Sequence, residues 1–409
     1  MSGIKNMMLL VPERKTVAAE GIVPSSFNYS LQLFDERSLA FFQQVSAELL
    51  SNVQFRQNPE IVSLSFWLRK ASLEEIRKQN LHLTAQPAVR TVPVGLVFHV
   101  CPGNVDTMFV YSICISLLAG NRNVIRISSD INPETDYLID SLNRVLQKSE
   151  HALMRDYIAI VNYPHDDEIN SYFSQMADAR VLWGGDKTVQ TFKKFQTKPR
   201  CKDVVFPNRI SYSLVNMDTF VAMNEKQKND WIRNFYNDTY IFNQKGCSSP
   251  QMLFLLNSDA EKEKQFYSAL TAQVKKQYQA DVASLASLKY NSLVGDIVTG
   301  KADAAIAESN LVYFVQLHPG ALLPDNCGGG YFYYLRIGQV ADILPYMDSS
   351  SQTLTYLGLD AEALEQLNTL LAGKGVDRIV QAGSALKFNN YWDGYNLLDE
   401  LTRKRYIEF

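Results

Sequence analysis

The chain has 409 residues, 46% hydrophobic and 20% charged, with a formal charge of −3 and an isoelectric point near 6.0. That is enough chain for two or three globular domains with a sizeable core. The slightly acidic balance gives no electrostatic footprint for nucleic acid or for an anionic membrane surface, so neither is expected as a partner.

The opening run "MSGIKNMMLLVPERK" is cut by charged residues before it can serve as a signal h-region. Residues 1–90 read as a helical appendage that contributes to the domain after it. "ERSLAFFQQVSAELLSN" (36–52) has helical periodicity, and "SLEEIRKQN" (72–80) offers Ser72 as an N-cap with Glu75 in capping-box position. From Val92 the pattern becomes alternating strands and helices. "GLVFHV" (95–100) is a strand ended by "CPGN"; a helix follows over 106–119, then a strand "NVIRIS" (123–128). The longest apolar stretch, "MFVYSICISLLAG" (108–120), falls in that helix and is shorter than the ~20 residues a bilayer span needs. Asn132-Pro133 caps a helix over 133–149. A strand 157–162, a helix 166–177, a strand 179–183 and a helix from Lys187 complete the series.

Four such units with near-continuous apolar strands predict an α/β domain over 91–234, built on a doubly wound parallel sheet. Ligands of such sheets gather beyond the carboxyl ends of strands. Two loops occupy that position, "CPGN" (101–104) and "WGGDK" (183–187). They make Pro102, Gly103, Trp183, Gly184, Gly185 and Lys187 the candidate cofactor contacts. A second α/β domain is expected over 235–375, with strands "PQMLFLL" (250–256), "LVYFVQL" (311–317) and "YFYYLRI" (331–337), a helix over 259–280, and a glycine-rich turn "DNCGGGYF" (325–332). The polar, aromatic-rich segment 376–409 is expected to pack back on the first domain or at a subunit interface.

GxGxxG, GxxxxGK[ST] and GxSxG are all missing from the expected places, which removes the usual dinucleotide, P-loop and serine-hydrolase fingerprints. Histidines 82, 99, 151, 165 and 318 lack metal-ligand spacing, so no metal is expected. Cysteines 101, 114, 201, 247 and 327 show no CxxC pairing, which fits a reducing, cytoplasmic compartment. One of them is set apart. Cys247, in "NQKGCSSPQ" (243–251), follows Gly246 and precedes small polar residues, so the backbone can turn and an acyl group can approach the thiol. Asn104, at the end of a strand, has an amide able to donate to a developing oxyanion.

Together these residues resemble the aldehyde dehydrogenase superfamily and, within it, the acyl-CoA reductase family typified by LuxC. The pieces that carry the resemblance run in family order: "GLVFHVCPGNVDTMFVYSICISLLAGNRNVIRIS" (95–128), "VLWGGDKTV" (181–189), "FNQKGCSSP" (242–250) and "GVDRIVQAG…YWDGYNLLDELTR" (375–403). The resemblance implies that Cys247 is the catalytic thiol and Asn104 the oxyanion donor. It puts Arg126 where the superfamily holds the adenosine ribose, a place from which a guanidinium can pair with a 2′-phosphate, so NADPH is expected over NADH. Gly184 and Gly185 fall at the turn that brings a helix N-terminus to the pyrophosphate. The general-base glutamate of oxidising members has no counterpart in "VVFPNRISYS" (204–213), which fits reduction of a thioester to an aldehyde. Lys187, Arg209 or a helix dipole are the candidates for lowering the Cys247 pKa. The resemblance further implies an acyl-CoA or acyl-protein substrate, an acyl-protein synthetase partner and a homo-oligomer. Two other readings stand beside it: an acyl-phosphate reductase of the glutamyl phosphate reductase type, and a non-catalytic subunit that binds an acyl donor.

Overall fold

The computed structural model describes residues 6–24, 26–84, 88–103, 105–278, 282–323 and 325–408. The chain divides into two compact units, the first made of Met1–Asn208 with Phe388–Phe409, the second of Arg209–Lys387.

In the first unit a seven-stranded sheet runs, edge to edge, Lys15–Ala18, Asn6–Val11, Ile158–Asn162, Arg122–Arg126, Leu96–Val100, Ala179–Trp183 and Lys202–Phe206. The last five are mutually parallel; Asn6–Val11 joins Ile158–Asn162 antiparallel and carries Lys15–Ala18 on its outer edge. The two-residue period of the strands divides their apolar side chains between two cores. Val97, Ile125, Ile160, Val181 and Val204 pack under the helices Glu36–Leu49, Met108–Leu118 and Pro133–Leu146. Phe98, Val100, Val124, Val161 and Leu182 pack on the other face against Phe173 and Phe192. Both faces are thereby covered, as a parallel sheet requires.

The parallel part begins at its centre with Leu96–Val100, steps outward to Arg122–Arg126 and Ile158–Asn162, and then resumes on the opposite side with Ala179–Trp183. The direction of winding reverses between Leu96–Val100 and Ala179–Trp183, and helices on either side of a reversal leave a crevice at the carboxyl ends. The segments that leave these two strands begin at Cys101 and at Gly184.

The second unit is wound in a similar way, outward from Ile210–Asn216 on one side and then across to Ser351–Leu357, but its outermost parallel strand on the first side, Val312–Leu317, precedes the inner Tyr331–Ile337. Its sheet runs Ala302–Ser309, Val312–Leu317, Tyr331–Ile337, Pro250–Leu256, Ile210–Asn216, Ser351–Leu357 and Arg378–Gln381, all parallel except the first. Tyr331 and Tyr333 enter one core and Phe332 and Tyr334 the other, so the aromatic strand is core on both faces.

Several sequence expectations need correction. Ser72 is no N-cap: the helix spans Lys70–Gln79, its start lies at Arg69, and the Ser72 hydroxyl donates to the Phe66 carbonyl at the end of the preceding helix, Pro59–Trp67. The amino-terminal region is not purely helical, since it supplies two strands to the first sheet. Residues 209–234, expected in the first domain, belong to the second unit because Ile210–Asn216 is a central strand of its sheet. Residues 376–387 likewise stay with the second unit, while 388–409 lie in the first. There Thr402–Tyr406 pairs antiparallel with Val89–Pro93, and Asn121 donates to the Leu401 carbonyl at 2.8 Å. The cap on the helix from Pro133 forms as expected: Asn132 accepts from the Thr135 N–H at 2.8 Å.

Candidate active site

The loop after Leu96–Val100 is tied down at its first residue, where the Cys101 N–H donates to the Arg126 carbonyl at 2.9 Å. Gly103 lies so close to the next strand's end that a Cβ there would meet the Ser128 hydroxyl at 2.9 Å. Pro102 stands half-buried between them. Asn104 lies outside the described residues. Arg126 ends its strand with the guanidinium 4.9 Å from the Tyr163 ring centroid. Its Nε is buried and finds no hydrogen-bond partner among the described residues. A buried cationic N–H left without an acceptor is costly, and an anionic or hydroxyl-bearing ligand would relieve that cost.

The second loop closes the other side of the crevice. Gly184 donates to the Phe206 carbonyl at 3.2 Å, and Gly185 caps the helix Asp186–Lys193. Cβ atoms at these positions would approach Thr188 to 3.0 Å and Asn208 to 3.1 Å, so Gly184 permits close packing on the helix and Gly185 on the segment after Lys202–Phe206. Lys187 is exposed in the first turn of that helix. Trp183 differs from expectation. It is buried, stacked on Phe206 at 3.6 Å, and donates through Nε1 to the Ser112 hydroxyl at 3.0 Å, so it holds the loop from beneath and presents no face to a ligand.

Beneath these loops runs a polar relay that sequence reading missed. Ser112 meets His99 Nδ1 at 2.7 Å, and His99 Nε2 meets Asn123 Oδ1 at 3.0 Å. The amide of Asn123 donates onward to the Asn121 carbonyl, so its Oδ1 is an acceptor and the His99 proton sits on Nε2. Burial lowers the His99 pKa from 6.5 to about 4, with the Asn123 hydrogen bond opposing the shift. Between those values the unfolded chain binds a proton that the folded chain refuses. Stability from this site is therefore full above pH 6.5 and is lost as the pH falls towards 4, by on the order of 2–3 kcal/mol. Urea midpoints at pH 7.5 and 5.0 should differ less in His99→Gln than in the unaltered chain.

Cys247 lies in the second unit, just before the amino end of Pro250–Leu256. It is the exposed one of the five cysteines. The sharp turn is not at Gly246, as the sequence suggested. It comes earlier, where Asn243 and Gln244 take φ values of 50° and 59°. Gly246 serves close approach instead: a Cβ there would stand 3.2 Å from the Ser249 hydroxyl and 3.4 Å from Leu386. Gln244 turns inward and is buried. Its Oε1 accepts from the Gly330 and Tyr331 N–H groups at 2.7 and 2.9 Å, and its Nε2 donates to the Pro250 and Tyr331 carbonyls at 3.1 and 3.3 Å. On the loop's other side the Ser211 hydroxyl donates to the Cys247 carbonyl at 2.6 Å and accepts from the Thr353 N–H at 3.2 Å. Ser211 belongs to the stretch 204–213, so what this segment brings to the thiol's own peptide is a hydroxyl and not a carboxylate. Arg209 reaches Asp377 at 2.5 Å and donates to the carbonyls of Ser350 and Ser351.

Neither Ser211 nor Gln244 stood out in the sequence. A hydroxyl in a strand and an amide in a loop are common, and only the fold shows which backbone groups they meet. Among the described residues no helix is long and apolar enough to cross a membrane.

Comparison with known proteins adds relatives to this geometry. The profile of the family described as Acyl-CoA reductase (LuxC) matches residues 68–404. A long-chain acyl-protein thioester reductase of Aliivibrio fischeri is 21% identical over 329 residues, covering 78% of this chain and 64% of that protein. One of Photorhabdus luminescens is 24% identical over 306 residues, covering 72% and 59%. The chain thus spans about 60% of the length of these relatives. Among solved structures, methylmalonate-semialdehyde dehydrogenase (DddC) from Oceanimonas doudoroffii superposes with a TM-score of 0.68 over 99% of this chain and 93% of that one, at 11% identity. PnpE in complex with nicotinamide adenine dinucleotide gives 0.66 over 98% and 93%, also at 11%. These likenesses establish the aldehyde dehydrogenase-like α/β fold, and the profile match over 68–404 settles the rest: the chain belongs to the acyl-CoA reductase (LuxC) family.

Proposed function

We propose that the chain is an NADPH-dependent reductase that converts an acyl thioester, acyl-CoA or acyl-protein, to the aldehyde through a thioester on Cys247. The observation that carries this reading is the exposed Cys247, held on a clamped loop with its carbonyl accepting from Ser211, in a stretch (204–213) that has no carboxylate. The Cys247 thiolate adds to the thioester carbonyl carbon, a C–S bond forms, and the donor leaves as its own thiolate. Asn104, by its place in the family motif, is the side-chain donor to the oxyanion, and the Cys247 N–H is the second. After reduction the Cys247 C–S bond breaks, the aldehyde leaves, and the thiolate is restored. No step requires an activated water, so none requires a carboxylate base.

The first unit's crevice fits a dinucleotide. Gly185 opens the helix Asp186–Lys193, whose N-terminus suits a pyrophosphate, and Arg126 offers to the ribose or its 2′-phosphate an Nε without a partner among the described residues. When bound, the reduced nicotinamide supplies the hydride. The name of the relatives supports an acyl-protein as one donor. An acyl-protein synthetase partner, a homo-oligomer and a cytoplasmic setting belong to the same reading.

The test is absorbance at 340 nm with purified chain, a saturated acyl-CoA series and either NADPH or NADH. Nicotinamide oxidation with aldehyde formation, faster with NADPH, is the expected result. Turnover of an acyl phosphate in place of every thioester would point to the phosphate reductase instead, and no turnover of either would leave a donor-binding subunit.

A further inference from the structure

We infer that Gln244 is a positioning residue for the Cys247 nucleophile, and that the glycine turn 328–330 is built to receive it. The inference rests on the proposed role of Cys247 and adds to it the part of the fold that presents the thiol.

The loop carrying the thiol leaves a helix, Glu225–Tyr240, and enters a strand at Pro250. Such a loop could swing. Here two consecutive non-glycine residues, Asn243 and Gln244, hold left-handed backbone conformations. Asparagine tolerates that region, but glutamine has no local hydrogen bond to favour it. Strained conformations of this kind persist only where the surroundings over-determine them, and they cluster at working sites. The surroundings do so here. The Gln244 amide is saturated, with both acceptor positions and both donor hydrogens used by backbone groups. Three of those four bonds run to Gly330 and Tyr331, on a segment more than eighty residues away in sequence. The fourth runs to Pro250, on the far side of Cys247. The amide therefore closes the thiol loop directly, from residue 244 to residue 250, and at the same time ties it to the end of the glycine turn.

The turn is shaped to match. Gly328, Gly329 and Gly330 all have positive φ, and the Gly329 N–H donates to the Asn243 carbonyl at 2.9 Å. A Cβ on Gly328 would stand 2.6 Å from that carbonyl oxygen, and one on Gly330 would stand 2.2 Å from the Tyr240 hydroxyl. Side chains here would push the thiol loop out of place. This is a physical reason for "CGGG" in a strand approach that otherwise needs only one turn residue.

The experiment compares the full-length chain with Gln244→Glu and Gln244→Met in the assay above, using the acyl-CoA turned over fastest. In parallel, alkylation of Cys247 by iodoacetamide is followed by peptide mass. A glutamate keeps the shape, but when ionised it faces the Pro250 and Tyr331 carbonyls with oxygen in place of N–H. When protonated it regains one donor. The expected result is a kcat about 10²-fold below the unaltered chain at pH 8, recovering at least tenfold at pH 6, with KM within about threefold throughout. Reading each value as a ratio to the unaltered chain cancels groups common to both, including buried Lys289, whose pKa is lowered to about 8. Tyr240 and Tyr331, which meet the turn, are both held above their usual range by burial and stay neutral in this window. Gln244→Met, which keeps the volume without the four bonds, should be slow at both pH values, and it covers the case in which the glutamate chain does not fold at pH 8. The alkylation ratio should follow the kcat ratio, because it reads the thiol whatever the substrate. Variants that match the unaltered chain in both kcat and alkylation overturn the positioning role alone. An acyl adduct that forms without Cys247 overturns the reading beneath it.

Discussion

Replacing Cys247 by alanine is expected to abolish the covalent acyl adduct and to lower reductase turnover by about 10⁴-fold or more, the scale on which loss of a nucleophile is felt. Intact-protein mass after exposure to acyl-CoA in the absence of reductant reads the first effect, and steady-state rates read the second. The expectation is sharp because no other thiol stands ready. Cys101 and Cys114 are buried, and burial alone pushes both thiols up. Cys201 is pushed up to about 11, chiefly by burial with Asp203 adding to it, and Cys327 is raised for the same first reason. A raised thiol is scarcely thiolate near neutral pH and cannot take over the reaction. An adduct that persists in Cys247→Ala would sink the assignment.

The second large effect is on stability. Arg180 is buried in the strand Ala179–Trp183 and forms a two-pronged pair with Asp203 on the next strand, at 2.7 and 2.6 Å. Its remaining nitrogen donates to the Ser174 hydroxyl and the Phe192 carbonyl. Arg180→Met should cost roughly 3 kcal/mol, the lower end for breaking a buried pair, because Asp203 keeps partial access to water. Replacing both partners with apolar residues should cost less than the single change, since neither charge is then stranded. Denaturant midpoints of the two single variants and the double variant decide the matter. A loss below about 0.5 kcal/mol in Arg180→Met would place the pair among ordinary surface pairs. The consequence reaches the crevice proposed for the cofactor, because this strand carries Gly184 and Gly185 at its end.

What could be read from the sequence follows from what side-chain pattern encodes. Runs such as 95–100 and 179–183 are apolar on both faces, so their parallel, doubly covered setting is legible in the residues alone, and so is the cap at Asn132. The strands at 6–11 and 15–18 are not legible in that way: they are short, and the first is fixed by pairing with Ile158–Asn162, about 150 residues away, while the second pairs with the first. The boundary at 208 is hidden for a related reason, because Ile210–Asn216 looks like any other strand until its neighbours are known. At the site, Cys247 is visible because a thiol among small residues is unusual. The clamp around it is not, since Gln244 and Ser211 act on backbone groups that leave no mark in their own sequence neighbourhood. Trp183 misleads because its place at the carboxyl end of a strand suggests a ligand contact, while its ring is stacked on Phe206 and its N–H donates to Ser112.

The strand Thr402–Tyr406 lies beside Val89–Pro93, and the whole of 209–387 falls in sequence between the two parts of the first unit. During synthesis the thiol-bearing unit therefore leaves the ribosome complete while the first unit still lacks its last strand and the Trp392 side chain of its core. Domains fold largely as they emerge, so the order of assembly is inverted relative to the order of residues: the piece begun first is finished last.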